Sequence, residues 1–374
     1  MKKQKKKVLV AVSGGVDSSA ALFLLQEAGF EVMGIYMKMG DEYQDSEAAA
    51  RKVCQQLGVK FYPVNIDEKF KKKIIDYFVS AYQQGETPNP CVKCNKLIKF
   101  GELLRWRERL GADFLASGHY IQNKFSESTG EFELYKAVDQ NKGQSYFLYN
   151  LKQEQLKYLL FPLGDKYKDD IKHLVMEKGI VIPKKESMDI CFLHKNGKAI
   201  GQTEYLENII KLKPGIIKVI KKETENNKRI EEIVGEHKGL PLYTIGQRKG
   251  VDIGGTGPYY VVSTDYSRNI LYVVRDANDD LLFSANLYSK DNSFVSENKL
   301  KNKKLQAVIR YRHKAVDCSV EMMEGENNIY KTIFSENQRA VTVGQSVVWY
   351  SGERLIGGGV VIDKNMKNDI IDIT

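Results

Sequence analysis

Across 374 residues the chain has only five cysteines, eight prolines, five histidines and two tryptophans. So sparse and odd a cysteine count excludes a disulfide framework of the secreted type. The thiols are expected to be reduced, and any pairing among them to be catalytic or metal-related. No apolar run approaches the length of a membrane span. The start Met1-Lys2-Lys3-Gln4-Lys5-Lys6-Lys7 passes straight into an apolar strand pattern, not into a leader. A cytoplasmic protein with no membrane partner is the expectation. The G-x-x-x-x-G-K-[ST] loop is absent too, which excludes the ordinary NTPases that grip a terminal phosphate with a loop lysine. There is no internal repeat.

What is abundant is positive charge. The formal net charge is +9, with lysines gathered at Lys2 to Lys7, Lys69 to Lys73 and Lys211 to Lys228. Such an excess suits a polyanionic partner such as nucleic acid. A charged run is as often a plain solvated face, so charge alone does not decide the partner.

Length predicts two or three domains. From Val8 to about Tyr120, short apolar runs alternate with helical patterns, the signature of a doubly wound α/β fold with a parallel sheet. Lys7 to Val12, Glu31 to Met37, Lys60 to Val64 and Phe114 to Ser117 read as strands. Helices are expected from Ser18 to Ala28, Ser46 to Leu57, Glu68 to about Gln84 and Leu97 to Leu110, the first two closed by Gly29 and Gly58. After Gly201 a helical segment, Thr203 to Leu212, leads into β-branched runs and the turns Glu225-Asn226-Asn227 and Gly254-Gly255-Thr256-Gly257-Pro258, a small linking module. Beyond about Leu281, the alternating segments Gln306 to Arg312, Ile329 to Phe334, Ala340 to Trp349 and Gly358 to Ile362 predict a C-terminal antiparallel β-barrel. The division expected is 1–202, 203–278 and 279–374.

The run Lys7-Val8-Leu9-Val10-Ala11-Val12-Ser13-Gly14-Gly15-Val16-Asp17-Ser18-Ser19 reads as a strand, a glycine turn and a helix start, hence a phosphate cradle. Gly14 and Gly15 can take positive φ and let backbone N–H groups approach a phosphate, while Ser13, Ser18 and Ser19 add hydroxyls. S-G-G-x-D-S resembles the loop of the PP-loop ATP pyrophosphatases, which split ATP between the α and β phosphates. In such sheets ligands sit at the carboxyl ends of the strands, so the loop, Met37 and Ser117-Gly118-His119 should meet at one crevice.

Two segments carry the thiols that bear on chemistry. In Thr87-Pro88-Asn89-Pro90-Cys91-Val92-Lys93-Cys94-Asn95-Lys96, a Cys-x-x-Cys leads into a helical pattern. A thiol at such a helix start is expected to have its pKa lowered by the helix dipole and by Lys93 and Lys96. The other reading of Cys-x-x-Cys, half a zinc site, lacks its second half in the chain. Ser187-Met188-Asp189-Ile190-Cys191-Phe192 supplies a third thiol whose apolar flanks, taken alone, suit a core cysteine. Cys54 and Cys318 are assigned to packing.

Taken together in this order, S-G-G-V-D-S-S, Met37-Lys38, T-P-N-P-x-x-x-C-N, A-S-G-H-Y, K-G-Q-S-Y-F-L, M-D-I-C-F, L-Y-T-I-G-Q-R-K-G and R-Y-R resemble the bacterial tRNA-specific 2-thiouridylase family nearly end to end. The resemblance implies that ATP, with Mg²⁺, adenylates the C2 oxygen of wobble uridine 34 in the tRNAs for Lys, Glu and Gln, and that sulfur then replaces that oxygen. It makes Cys191 the persulfide carrier, loaded by a cysteine desulfurase or a sulfur-relay protein, and Cys94 its partner thiol. It places ATP on Ala11, Val12, Ser13, Gly14, Gly15, Val16, Asp17, Ser18, Met37 and Gly118, with Asp17 an organiser of Mg²⁺ and pyrophosphate. The target base falls to Asn89, Pro90 and Cys91, and tRNA contacts to His119, Lys142, Gly143, Gln144, Arg310, Tyr311 and Gln345. Taken singly, Arg310-Tyr311-Arg312 suits a solvated strand face, Gln345 a turn and His119 a capped loop.

One departure matters. Many family members carry Asp where this chain has Cys91. Either Cys91 simply replaces that acid, or Cys91, Cys94 and Cys191 hold a [4Fe–4S] cluster with one iron open to sulfide. A small-molecule ligase of the same ATP group would not need Cys94 and Cys191, and a non-catalytic RNA-binding protein would not need the glycine loop.

Overall fold

The computed structural model describes residues 5–40, 44–180, 190–195, 198–222, 229–251, 253–254, 257–296, 300 and 304–363. The Glu225-Asn226-Asn227 turn, Gly255, Thr256 and the Ser187-Met188-Asp189 portion of the third thiol segment lie outside them.

Five parallel strands form the first sheet: β1 (Lys7–Ala11), β2 (Glu31–Lys38), β3 (Lys60–Asn65), β4 (Phe114–Ser117) and, later in the chain, β7 (Leu159–Leu160). Their order is β3-β2-β1-β4-β7. The central strand β1 carries Val8, Leu9 and Val10 with no exposed surface, as expected where helices cover both faces. Each such side chain, fully buried, contributes about 1.5–3 kcal/mol. Helices Val16–Glu27 and Gln44–Gln56 end two residues before Gly29 and Gly58, which take φ +86° and +65°. Two longer helical runs follow, 67–83 and 90–109, each with a π-helical stretch (Lys71–Ile75 and Asn95–Glu102).

A mixed four-stranded sheet makes the middle module: β10 (Gly215–Lys222), β11 (Arg229–His237), β12 (Tyr260–Asp265) and β13 (Ile270–Val274), in the order β11-β10-β13-β12. The C-terminal strands are β14 (Phe283–Phe294), β15 (Leu305–Val308), β16 (Val316–Met322), β17 (Tyr330–Arg339), β18 (Ser346–Ser351) and β19 (Arg354–Ile362). They run β14-β17-β16-β15-β18-β19, and β14 pairs with β19 to close a six-stranded antiparallel barrel. Fully buried Trp349 stacks on Phe294 inside it and donates its indole N–H to Thr332 Oγ1 at 3.1 Å.

Two features differ from the sequence expectation. A hairpin of the first module, β5 (Ile121–Ser126) and β6 (Glu131–Lys136), extends the barrel sheet through β6 against β19. Arg310-Tyr311-Arg312 is not a strand face: β15 ends at Val308, and Arg312 turns the chain at φ +65°. The barrel and first module also share a core. One apolar cluster joins Leu9 and Ile35 to Leu206 and Leu242 of the middle module and Val348 and Leu355 of the barrel.

Candidate active site

At the carboxyl end of β1, Gly14 lies at φ +79°, and a Cβ there would meet Ala49 Cβ and Ser46 O at 2.8 Å. Only glycine fits this close approach to the second helix. Gly15 does not use that freedom: at φ −90°, ψ 168° it is the extended N-cap of Val16–Glu27. Ser18 Oγ accepts from Ser13 N at 3.1 Å, and the hydroxyls of Ser18 and Ser19 donate to Gly15 O at 3.1 and 2.9 Å. The loop is thus laced by its own serines, and the first amides of the helix, Val16, Asp17 and Ser18, have no intrahelical partner, as at any helix start. Gly118 packs against this turn, since a Cβ on it would lie 2.7 Å from Asp17 C. Half-buried Met37 stands near the carboxyl end of the neighbouring β2. Ala11, Val12, Met37 and Gly118 therefore share one end of the sheet.

Asp17 is held by Tyr120, the last residue of A-S-G-H-Y, and by Lys168, which no motif pointed to. Tyr120 donates its hydroxyl to Asp17 Oδ1 at 2.8 Å, and Lys168 Nζ lies 2.6 Å from the same oxygen. Lys168 is buried, and its backbone N–H is fixed by Asp139 Oδ2 at 3.0 Å. Burial and the Asp17 charge both push the Tyr120 phenol upward, so it stays a donor. Gln144 joins the group: its Oε1 accepts from Tyr120 N at 3.0 Å, and its own N–H donates to Tyr120 O at 2.9 Å. The next residues of that motif grip the barrel, with Ser145 against the Tyr350 hydroxyl at 3.0 Å and Tyr146 donating to Ser346 O at 2.8 Å. Lys142 and Gly143 form the half-buried turn leading into them.

Asn89 caps the 90–109 run, its Oδ1 accepting from Val92 N at 3.4 Å, with buried Pro90 as the first helical residue. The Cys-x-x-Cys therefore lies within the helix. Cys91 is half-buried in the first turn, while Cys94 is buried in the core one turn deeper. This overturns the expected low pKa: burial pushes the Cys94 thiol up to about 12, with Lys99 opposing and the neighbouring Cys191 and Cys91 adding to the rise. Cys191 reaches solvent, yet the dense protein around it raises its thiol to about 11, Cys91 adding and Lys99 opposing. The three thiols thus lie within electrostatic reach of one another, and the cation that favours the Cys94 and Cys191 anions is Lys99, not Lys93 or Lys96. Phe192 anchors the Cys191 segment among Phe70, Phe78 and Tyr205, with ring centroids 5.1 to 6.0 Å apart. Among the described residues no group of three or more His, Cys, Asp or Glu side chains is placed to hold a metal ion. Cys54 is core, and Cys318 packs on the barrel interior.

His119 is buried, its Nδ1 paired with Ser117 Oγ at 2.8 Å and its ring against Phe100 and Phe161. Burial, then Lys99, holds it well below the usual histidine range and therefore neutral. The loop ahead of Asn89 is a junction of all three modules. Thr87 N–H donates to Val343 O at 2.8 Å, Thr87 O accepts from Gln345 Nε2 at 2.8 Å, and the Thr87 hydroxyl meets that of Thr244 at 3.2 Å. A cavity of about 310 Å³ opens there, lined by Thr87, Thr244, Gln247, Arg310 and Gln345 among others. Tyr311 packs on Phe147, centroids 4.5 Å apart.

A parallel sheet with a lysine-free glycine loop at the carboxyl ends of its strands, joined to a linking sheet and a closed barrel, defines a modular α/β enzyme that uses ATP. Residues 6–195 match the tRNA methyl transferase HUP domain, 203–275 the tRNA methyl transferase PRC-barrel domain and 284–361 the aminomethyltransferase beta-barrel domain. The chain is 39% identical over 372 residues to the tRNA-specific 2-thiouridylase MnmA of Alkaliphilus oremlandii, covering 95% of this chain and 96% of that one. It is 39% identical over 378 residues to that of Clostridioides difficile (95% and 98%) and 40% over 373 to MnmA 2 of Caldanaerobacter subterraneus (95% and 97%). The chain belongs to the MnmA family of tRNA-specific 2-thiouridylases.

Proposed function

We propose that this protein is a cytoplasmic tRNA-uridine 2-sulfurtransferase that adenylates the C2 oxygen of uridine 34 in the tRNAs for Lys, Glu and Gln and replaces it with sulfur. The observation that carries the reading is the pairing, within one module, of the laced glycine loop with three neighbouring thiols. Methyl transfer, the name on two of the domain models, needs neither. Amides at the start of Val16–Glu27, with Ser13 and the Gly14 turn, hold the pyrophosphate portion of ATP, and Met37 and Gly118 border the nucleoside. Asp17 Oδ2, not engaged by Lys168 or Tyr120, is the carboxylate oxygen that fits Mg²⁺, whose role is to neutralise the leaving pyrophosphate. The uridine oxygen is a poor leaving group until it leaves as AMP.

Asn89, Pro90 and Cys91 border the base, which must be splayed from its stack for C2 to be reached. His119, Lys142, Gly143, Gln144, Arg310, Tyr311 and Gln345 serve tRNA, although buried His119 acts by packing the Ser117 turn and Gln345 by bracing Thr87. A cysteine desulfurase or relay protein loads Cys191 as a persulfide. Cys94 thiolate attacks the Cys191 sulfur, forming the Cys94–Cys191 disulfide and expelling hydrosulfide. Hydrosulfide adds to C2 and AMP departs. The disulfide is reopened by an external dithiol, which supplies the two electrons.

The test is nucleoside mass spectrometry of unmodified lysine tRNA after anaerobic incubation with the protein, ATP, Mg²⁺ and a desulfurase-generated persulfide source. ATP-dependent 2-thiouridine is the expected result. Its absence, with a control thiolase active in the same mixture, overturns the reading.

A further inference from the structure

A cavity of about 560 Å³ lies away from the glycine loop, between the helical runs 67–83 and 90–109. That volume falls within the range of roughly 300–1,000 Å³ usual for ligand clefts. Its walls carry Lys72, Lys73 and Lys93 with Tyr77, Gln84 and a single acid, Glu86. Tyr77 and Gln84 stand on the same face of the helical run as Lys73, at i+4 and i+11. Lys73 already leans on buried Glu102 at 3.5 Å, and Glu86 faces Lys290 of the barrel at 3.6 Å. Lys72 has no hydrogen-bond or ion-pair partner among the described residues. Lys93 Nζ stands 3.5 Å from the centre of the Tyr77 ring, and no carboxylate among the described residues lies within ion-pair distance of it. Burial pulls the Lys93 ammonium below its usual pKa, with nearby Asp291 opposing and Lys96 adding to the fall. A partly desolvated cation lying over a ring face without an ion-pair partner among the described residues, lining the same cavity as a second unpaired one, is a seat that an anion completes.

We infer that this cavity seats a backbone phosphodiester of the tRNA substrate, held between Lys72 and Lys93 with the Gln84 amide as a further donor. The inference rests on the tRNA reading above. Lys93 lies between Cys91 and Cys94 on the same helix, so a phosphate held there fixes the strand relative to the base-bordering turn at Asn89. A point contact of this kind positions without reading sequence. It adds a counterion-release contribution to affinity.

The experiment measures tRNA affinity against salt concentration for the wild-type protein, the double variant Lys72→Met/Lys93→Met, the double variant Lys72→Arg/Lys93→Arg, and Lys60→Met. Lys60 is an exposed residue at the start of edge strand β3 and does not line the cavity. Losing one phosphate contact makes the slope of log affinity against log salt shallower by roughly 0.7 for a single strand or 0.9 for a duplex. That change is expected in the methionine variant alike for cognate and non-cognate tRNAs, with the arginine variant and Lys60→Met unchanged. An unchanged slope in the methionine variant overturns the seat, and so does an equal change in Lys60→Met, which would mean net charge only. Loss of free AMP or inorganic phosphate binding with tRNA affinity intact assigns the cavity to a small anion instead. Loss of persulfide loading alone assigns it to the donor protein. No tRNA binding by the wild-type chain fails the functional reading itself, a result distinct from all of these.

Discussion

Lys168 meets Asp17 at 2.6 Å across 151 positions of sequence, placing a buried ammonium against the carboxylate of the glycine loop. Removing the carboxylate leaves the buried ammonium uncompensated, which is costly, whereas half-buried Asp17 keeps access to water. Lys168→Met is expected to cut tRNA-dependent pyrophosphate release by about 100-fold, the scale of losing one oriented charge-stabilising donor. Lys168→Arg should restore part of it. Release within threefold of wild type in Lys168→Met would show the pair to be scaffolding alone.

Raised thiol pKa values set a direction for pH. With Cys191 near 11, the protonated form dominates at neutral pH, and the thiolate gains about tenfold for each unit of pH below that value. Alkylation of Cys191 by iodoacetamide, followed by peptide mass spectrometry, should climb steadily from pH 7 to pH 10. A rate that levels off below pH 9 would contradict the crowding around this thiol. Lys99→Met should slow the reaction at every pH, since Lys99 is the cation favouring the anion.

Carrier and partner thiols separate by product. Cys191→Ser is expected to retain tRNA adenylation, read as AMP attached to tRNA with pyrophosphate released, while forming no 2-thiouridine. Cys94→Ser should accept a persulfide on Cys191, visible as a mass gain on that peptide, and fail to discharge it. Full thiolation by either variant would remove that cysteine from the scheme.

How far the sequence could be read follows the range of the interactions. β1 to β4 were legible because a strand buried on both faces is written as a continuous apolar run such as Val8-Leu9-Val10, and the helix ends because Gly29 and Gly58 are local stop signals. Hairpin β5–β6 joins the barrel through Leu355 against Leu134 and Arg354 against Tyr135, pairings set by partners more than two hundred residues away. Lys168 was invisible for the same reason: a lysine opening a helix has no signature until Asp17 is beside it. The thiol expectation failed because the helix begins at Pro90, which carries Cys94 from its start into the core. The roles of the site residues rest on motif order, to which Gln345 and His119 add local contacts that the motifs did not disclose.

Glu102 ties the two helical runs flanking the thiols. Its buried carboxylate accepts from Lys69 at 2.8 Å and lies 3.3 Å from Arg105 and 3.5 Å from Lys73. Burial alone would raise its pKa, but Lys69, then Arg105 and Lys73, hold it below the usual range. A depressed carboxyl stabilises the fold above its ordinary pKa, and that contribution is lost as pH falls through the lower folded value. Glu102→Gln should therefore cost about 1–3 kcal/mol at pH 7, and the gap from wild type should close as pH drops below about 4. Urea unfolding at both pH values checks this, and a gap independent of pH would place the loss in packing instead.

The junction at Thr87 supplies the last prediction. Gly344 sits at φ +87°, and a Cβ there would lie 2.8 Å from Thr87 N and 2.9 Å from Glu86 Cβ. Both contacts belong to the loop that leads into Asn89. Gly344→Ala must therefore strain the barrel turn or push the loop away, at a cost of about 1–3 kcal/mol. The glycine loop, at the carboxyl end of β1, packs instead on the second helix, where Gly14 meets Ala49 and Ser46. ATP affinity should then stay at the wild-type value, while the rate of uridine modification falls because Asn89, Pro90 and Cys91 are displaced together. Gln345→Ala, which removes only the 2.8 Å bond to Thr87 O, should show the same split more weakly. Equal losses in ATP affinity and modification rate would mean that the barrel supports the whole first module, and would remove the argument that this turn positions the base-bordering residues in particular.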